Sequence, residues 1–238
     1  MDYFILAAAC AYFIKGLCGF ANTLVFTSIL GFSKTNIEIS PVELVLSYPS
    51  NIILVLKNRD RLQWRAWLPV TITVLLGSFI GVNFLRSYDA SSIKIFFGFV
   101  VFFIGLEMLL QDRFGGKHKE VRLVSIIVGV ASGLLCGLYG IGALLGAYMG
   151  KISTDNSSFQ ANLNMVFFIE TTVRLALYGW YGIITLQTLT QSLMLYPFML
   201  AALFLGIKSG SLLNEKYVRK IVMLMLIISG IVLVISNW

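Results

Sequence analysis

Six long apolar runs joined by short polar gaps decide most of what this chain can become. In the first half they are roughly Pro41–Leu56, Ala66–Leu85 and Ser92–Leu110, and in the second Phe159–Gly179, Thr190–Leu213 and Val218–Trp238. Runs of this size, wound as helices, cross a hydrocarbon core of ~30 Å. A water-soluble globule has no interior large enough for them: 58% of the 238 residues are hydrophobic and 12% charged, where a soluble domain carries about 25% charge. Lipid removes the conflict. Trp64, Trp67, Trp180, Tyr181 and Trp238 fall near run ends, where aromatic rings sit at headgroup level. The expected fold is therefore an all-α integral membrane protein, a single multi-pass domain over residues 1–238 in the cell (cytoplasmic) membrane.

Two further apolar runs, Asp2–Gly31 and Arg122–Gly150, are interrupted near the middle by glycine. The first breaks at Gly16-Leu17-Cys18-Gly19 and the second at Gly137-Leu138-Tyr139-Gly140. Each arm is ~18 Å long as a helix, about half a membrane, so each run is either one broken span or a re-entrant hairpin turning near the midplane. The stretch from Gly16 to Leu24 lies over that from Gly137 to Leu145 at a shift of 121, and Leu76-Gly77 with Gly81 echoes Leu205-Gly206 with Gly210. Segment order repeats too, a broken run followed by three spans. The halves, 1–115 and 120–238, read as internal repeats, a frequent plan for transporters.

The net charge of +7 is read as orientation, not as affinity for nucleic acid. Eight of the 18 Lys and Arg residues fall in two gaps, Lys57–Arg65 and Arg113–Arg122. With crossing broken runs, loop charges divide eight inside to seven outside. With re-entrant broken runs the second half inverts, Lys151, Lys216, Arg219 and Lys220 move inside, and the count is twelve to three. Basic residues gather on the cytoplasmic face, so inverted repeats with re-entrant helix pairs are expected. The first run lacks a basic leader segment, so it is expected to remain as part of the protein. Cys10, Cys18 and Cys136 sit in apolar segments without metal-ligand or disulfide spacing and read as small core residues.

Glycine-rich backbone at membrane depth is tolerated only against protein or a wet cavity. In the hairpin reading the second arms begin near the midplane at Gly19-Phe20-Ala21 and Gly140-Ile141-Gly142, where unpaired amides and the positive dipole ends favour an anion. Asn22 and Thr23 add side-chain donors. The competing reading is that such glycines merely let helices pack closely. Among polar residues inside spans, Glu170 and Arg174 lie four apart on one helix face. They form either a purely structural pair or an anion-holding Arg174 with Glu170 as proton-coupling group. Lys15 either caps the first arm or attracts the anion. Asn51, Gln160, Asn162 and Asn164 line two middle spans as solute contacts or as interhelical hydrogen-bonding groups. Glu107, Lys208 and Arg86 lie near span ends and can snorkel, and His118 belongs to a solvated loop. No nucleophile elbow, phosphate loop or metalloprotease motif is present in the sequence, so neither catalysis nor a cofactor or metal is expected.

The residues Lys15-Gly16-Leu17-Cys18-Gly19-Phe20-Ala21-Asn22-Thr23-Leu24-Val25 resemble the first-half signature of the TauE/SafE family of sulfite and organosulfonate exporters. Gly133-Leu134-Leu135-Cys136-Gly137-Leu138-Tyr139-Gly140-Ile141-Gly142 resembles the second-half signature. Phe159-Gln160-Ala161, and Leu177-Tyr178-Gly179 through Gly182-Ile183, fall where the family has similar elements. The resemblance implies movement of small sulfur-containing or carboxylate anions across the cytoplasmic membrane. The chain departs from the pattern at Ala143, Leu144 and Leu145, where members usually have a third small residue and often proline. It departs again at Gln160, where many carry arginine. Two functions then compete: a secondary transporter of a small anion, with proton or ion coupling, and a non-transporting membrane scaffold or partner subunit. A water-reachable polar centre between the breaks speaks for transport, and a dry apolar centre around Gly19 and Gly140 for a scaffold.

The charge count predicts that Lys57–Arg65 and Glu215–Lys220 face the cytoplasm and both termini face outward. Single cysteines labelled from outside should leave position 216 protected and position 238 modified; the reverse pattern would restore eight parallel spans.

Overall fold

The computed structural model describes residues 2–30, 36–87, 122–140, 142–153, 155–212 and 215–235, with isolated positions between 99 and 109. Every regular element among these is helical: α1 (Asp2–Cys18), α2 (Asn22–Leu30), α3 (Asn36–Lys57), α4 (Trp64–Ser87), α5 (Arg122–Tyr139), α6 (Ala143–Ile152), α7 (Asn156–Trp180), α8 (Leu186–Leu212) and α9 (Glu215–Ile235), with a short 3-10 turn at Arg59–Arg61. The span read at Ser92–Leu110 lies largely outside the described residues.

Alongside an apolar core, the helices bury charges and leave large apolar side chains outside, as a soluble protein does not. Lys15, Glu43, Glu170 and Arg174 are buried, whereas Leu76, Phe79, Leu193, Phe204 and Leu205 stand exposed on α4 and α8. Polar groups seek one another and apolar groups face outward, as lipid requires. Among the described residues, Glu38–Lys57, Trp64–Asn83 and Leu186–Leu212 are long and apolar enough to cross a membrane. Helix α7 has the length at 25 residues, but Gln160, Asn162, Asn164, Glu170 and Arg174 leave it more polar than an ordinary span. All five are buried against other helices, so this polarity never meets lipid.

Local signals account for the elements. Asp155, extended at φ −143°, caps α7 by accepting from the Ser158 amide at 2.8 Å, as an N-cap aspartate does. Pro49 inside α3 lacks an N–H and so frees the Val45 carbonyl; the Tyr196 hydroxyl of α8 donates to that carbonyl at 3.0 Å. Neighbouring side chains of this kind are what allow proline within membrane helices.

Both broken runs break, but later than the sequence suggests. Helix α1 continues through Gly16 to Cys18 and α5 through Gly137 to Tyr139, leaving Gly19–Ala21 and Gly140–Gly142 as the breaks. The helical turns close alike: Gly19 N–H donates to Lys15 C=O at 2.6 Å and Gly140 N–H to Cys136 C=O at 2.7 Å. Gly19 and Gly140 then take positive φ, 88° and 71°, a conformation glycine reaches without a Cβ penalty. Ala21 also has positive φ, 72°, a costly choice for a residue with a side chain.

Gly16 and Gly137 serve a different purpose. A Cβ on Gly16 would overlap the backbone of Leu203 and Gly206 in α8, and one on Gly137 the backbone of Ser78 in α4. Gly206, Gly77 and Gly133 make the same close approach along these two seams. Helix α1 thus lies along α8 and α5 along α4, while α3 and α7 meet at the centre and touch α8 and α4 respectively. For these glycines the packing reading is the right one.

Replacing Gly16 or Gly206 with leucine should force the α1–α8 seam apart, at a cost of at least ~1–3 kcal/mol. The thermal midpoint in detergent should fall clearly, whereas Gly179→Ala, whose added methyl meets nothing within 4 Å, should leave it unchanged. Equal midpoints for all three would remove the seam from the account.

A buried polar cavity between the two breaks

Helix α7 donates to a backbone carbonyl at each break. Asn164 Nδ2 donates to the Gly19 carbonyl at 2.9 Å and to the Gln160 carbonyl at 2.8 Å. Arg174 Nη1 donates to the Cys136 carbonyl at 2.8 Å. One helix therefore braces both breaks, with Asn164 under the first and Arg174 under the second.

Around that brace, side chains from α1, α2, α3 and α7 converge. Glu43 Oε1 accepts from Asn22 Nδ2 at 2.5 Å, from Thr23 Oγ1 at 2.8 Å and from the Ser47 hydroxyl. Its Oε2 is buried with no hydrogen-bond partner. Lys15 Nζ donates to Asn51 Oδ1 at 2.6 Å, and Asn51 Nδ2 to Thr171 Oγ1 at 3.1 Å. Arg174 Nε lies 3.2 Å from Glu170 Oε1 in an ionic contact rather than a directed hydrogen bond, and Ser78 Oγ of α4 donates to that same oxygen at 2.9 Å. A lone charge at a membrane helix centre costs ~2.5–3.5 kcal/mol on insertion scales. Two cations and two carboxylates brought together offset much of that cost.

These groups enclose a cavity of about 20 Å³ for water-sized occupants, room for about one water molecule. Lys15, Asn51, Thr171, Glu170 and Arg174 line it together with Ala21 to Leu24, Gly140 and Gly142. The cavity thus touches the first turn of α2 and the N-cap residue of α6. Gly142 precedes α6 and offers no side-chain cap, so the amides of that turn are not covered by one. At Gly140 the acid of α3 and the guanidinium of α7 meet: a Cβ there would stand 2.8 Å from Arg174 Nη1 and 3.1 Å from Glu43 Oε2.

Of the residues singled out in the sequence, Ala21, Asn22, Thr23, Asn51, Gly140, Gly142, Glu170 and Arg174 gather at the cavity. Gly19, Phe20, Gln160 and Asn164 do not line it. A Cβ on Gly19 would run into the Gln160 side chain at 2.6 Å, Phe20 packs edge-on against Phe159 with ring centroids 5.9 Å apart, and Asn164 is spent on the Gly19 carbonyl. They shape the first break from behind. Ile141 lies outside the described residues. Lys15 makes an interhelical bond to Asn51 and lines the cavity.

Glu43, Ser47 and Thr171 escaped sequence reasoning. Glu43 stood three residues into the run read as beginning at Pro41, where a charge can snorkel, but α3 starts at Asn36 and places it ~10 Å deep. The signal was present as spacing: Glu43, Ser47 and Asn51 recur at intervals of four, a polar stripe on one helix face. Gln160, Asn164, Phe167, Thr171 and Arg174 trace a similar stripe on α7.

Comparison with known sequences agrees with this architecture. The family model described as sulfite exporter TauE/SafE matches residues 4–233, so the match takes in both breaks and every helix that lines the cavity. The chain belongs to the TauE/SafE family. It is accordingly a membrane transport protein of a family of exporters, not one of enzymes. Neither a curated protein nor a solved structure gives a significant match.

The Glu170–Arg174 contact allows the roles of its partners to be separated. Arg174→Met alone should leave a buried carboxylate unmatched and destabilise the protein by ~3–5 kcal/mol, seen as lost folded yield. Glu170→Gln with Arg174→Met should recover folded protein in detergent without recovering anion flux in liposomes. Recovery of both would make the pair purely structural.

Proposed function

We propose that the protein is a secondary transporter that carries a small anion (sulfite, a sulfonate or a carboxylate) across the cytoplasmic membrane, bound near the midplane between the two breaks. The observation that carries this reading is the cavity itself, where Lys15 and Arg174 stand with the first turn of α2 and the N-cap of α6. Buried cations and helix N-termini together favour negative charge, and the polar lining speaks against a scaffold, whose centre would be dry.

The reading includes inverted repeats over 1–115 and 120–238 with re-entrant pairs α1–α2 and α5–α6. Three observations support it. At a shift of 121 residues the breaks open alike: Gly19 and Gly140 both take positive φ and close the last helical turn on Lys15 and Cys136. Helix contacts come in exchanged pairs, α1 with α8 and α5 with α4, α3 with α8 and α7 with α4. Phe4 and Phe26 have ring centroids 6.2 Å apart, although 22 residues of continuous helix would separate them by ~33 Å. A cavity with room for one water is too small for a sulfonate, so loading requires the brace and the breaks to part. Rocking of one repeat against the other is the motion such duplications permit.

Purified protein in liposomes, screened for uptake of sulfite, methanesulfonate and acetate, tests the proposal. At least one anion should enter at well above the rate of empty vesicles, and Gly140→Ala should slow it at least ten-fold while leaving the protein inserted, because the added methyl meets Arg174 and Glu43. Uptake of none of the three, in protein that remains folded, would return the scaffold.

A further inference from the structure

Two buried charges of the cavity, Lys15 and Glu43, have neutral partners only, and of the two carboxylates Glu43 alone keeps an oxygen without a hydrogen bond. Glu170 is matched by Arg174 and held by Ser78. Glu43 receives only neutral donors, all on Oε1, while Oε2 points at the Gly140 turn without a partner. No described cation forms an ion pair with it. The titratable and charged groups around it are Tyr12 and Lys15 from α1, Glu170 and Arg174 from α7 with Tyr178 beside Arg174, and Cys136 from α5, while α2 presents neutral Asn22 and Thr23.

The count of charges is the second observation. With all four groups ionised, Lys15 and Arg174 balance Glu43 and Glu170, so an arriving monovalent anion brings the site to a net charge of −1. Uncompensated charge in a low-dielectric interior is disfavoured, and proteins remove it by protonation. Glu43 is the carboxylate able to accept that proton without losing a bond. With the proton on Oε2, Oε1 still accepts from Asn22, Thr23 and Ser47, and the new O–H has no competing acceptor and faces the same turn as Arg174 Nη1. Protonating Glu170 would instead cancel half of an ion pair.

Resting on the anion-transport reading, we propose that Glu43 is the coupling residue: it binds one proton at Oε2 as each monovalent anion enters and releases it as the anion leaves. The proton comes from water on the loading side and returns to water on the other. No covalent bond other than O–H forms or breaks. Transport is therefore electroneutral symport, and net direction follows the combined gradients of solute and proton.

Methanesulfonate is a suitable probe because it stays ionised, so any accompanying proton is carried by the protein. In liposomes holding the wild-type protein, one pH unit should sustain about ten-fold accumulation on the alkaline side, the ratio that one proton per anion dictates. A clamped membrane potential should add nothing. In Glu43→Gln, which retains an acceptor oxygen for the three donors, the pH-driven ratio should fall to about one. In detergent, proton uptake per bound methanesulfonate should fall from about one to none. A variant that keeps the ten-fold ratio, or wild-type accumulation driven by potential alone, overturns the proposal. If Glu43→Gln fails to insert, Glu170→Gln decides: unchanged proton uptake supports Glu43, and loss of uptake transfers the role to Glu170. Proton-independent movement of methanesulfonate overturns coupling and leaves the anion-transport reading standing, whereas no movement of any screened anion removes both.

Discussion

Backbone polar groups released inside a hydrocarbon layer must find partners within the protein, and the rest of this structure is arranged around that need. At the first break the Gly19 carbonyl takes a side-chain donor, and before the second the Cys136 carbonyl takes one in addition to the Gly140 N–H. Asn164 meets the Gly19 carbonyl and Arg174 the Cys136 carbonyl, both from α7. That helix is too polar for a lipid-facing span and takes a central position, against α3 and α4. Its polarity and its place have one cause.

A brace of this kind brings charge into the interior, and the charges must then be reconciled with one another. Arg174 brings Glu170 as its counter-ion one turn away. Lys15 is held by Asn51 and Glu43 by the first residues of α2. The outcome is a compact polar centre between two helix starts rather than scattered buried charges. Structural support of the breaks and the chemistry of the cavity are consequently the same set of side chains. The seams at Gly16–Gly206 and Gly77–Gly133 lie apart from it and only bring backbones close.

Much of the framework could be read from residue order. Helix positions agree with the apolar runs within several residues, because an apolar run in lipid has no alternative to a helix. Both breaks are legible in the residue order, but the order does not separate Gly16 and Gly137, which lie within helices, from the breaks themselves. A sequence shows that glycine is present but not whether its missing side chain serves a turn or a neighbour. Eight of the expected cavity residues gather there, while Gly19, Phe20, Gln160 and Asn164 support the first break from outside the cavity. They share the helix faces and turns that point inward, and only packing distinguishes lining from bracing.

Glu43 marks the boundary between the two kinds of knowledge. Composition and run length by themselves determined that the chain is helical, membrane-embedded and twice interrupted, since those properties follow from transfer energies and backbone hydrogen bonding residue by residue. The tertiary structure alone decided that an acid from α3, a lysine from α1 and an ion pair from α7 share one cavity. It also decided that Oε1 of Glu43 is occupied while Oε2 is open. Those facts depend on which helix lies beside which. That arrangement is set by glycine seams and by the bracing of two breaks across 145 and 38 residues of sequence, distances over which local pattern carries no information.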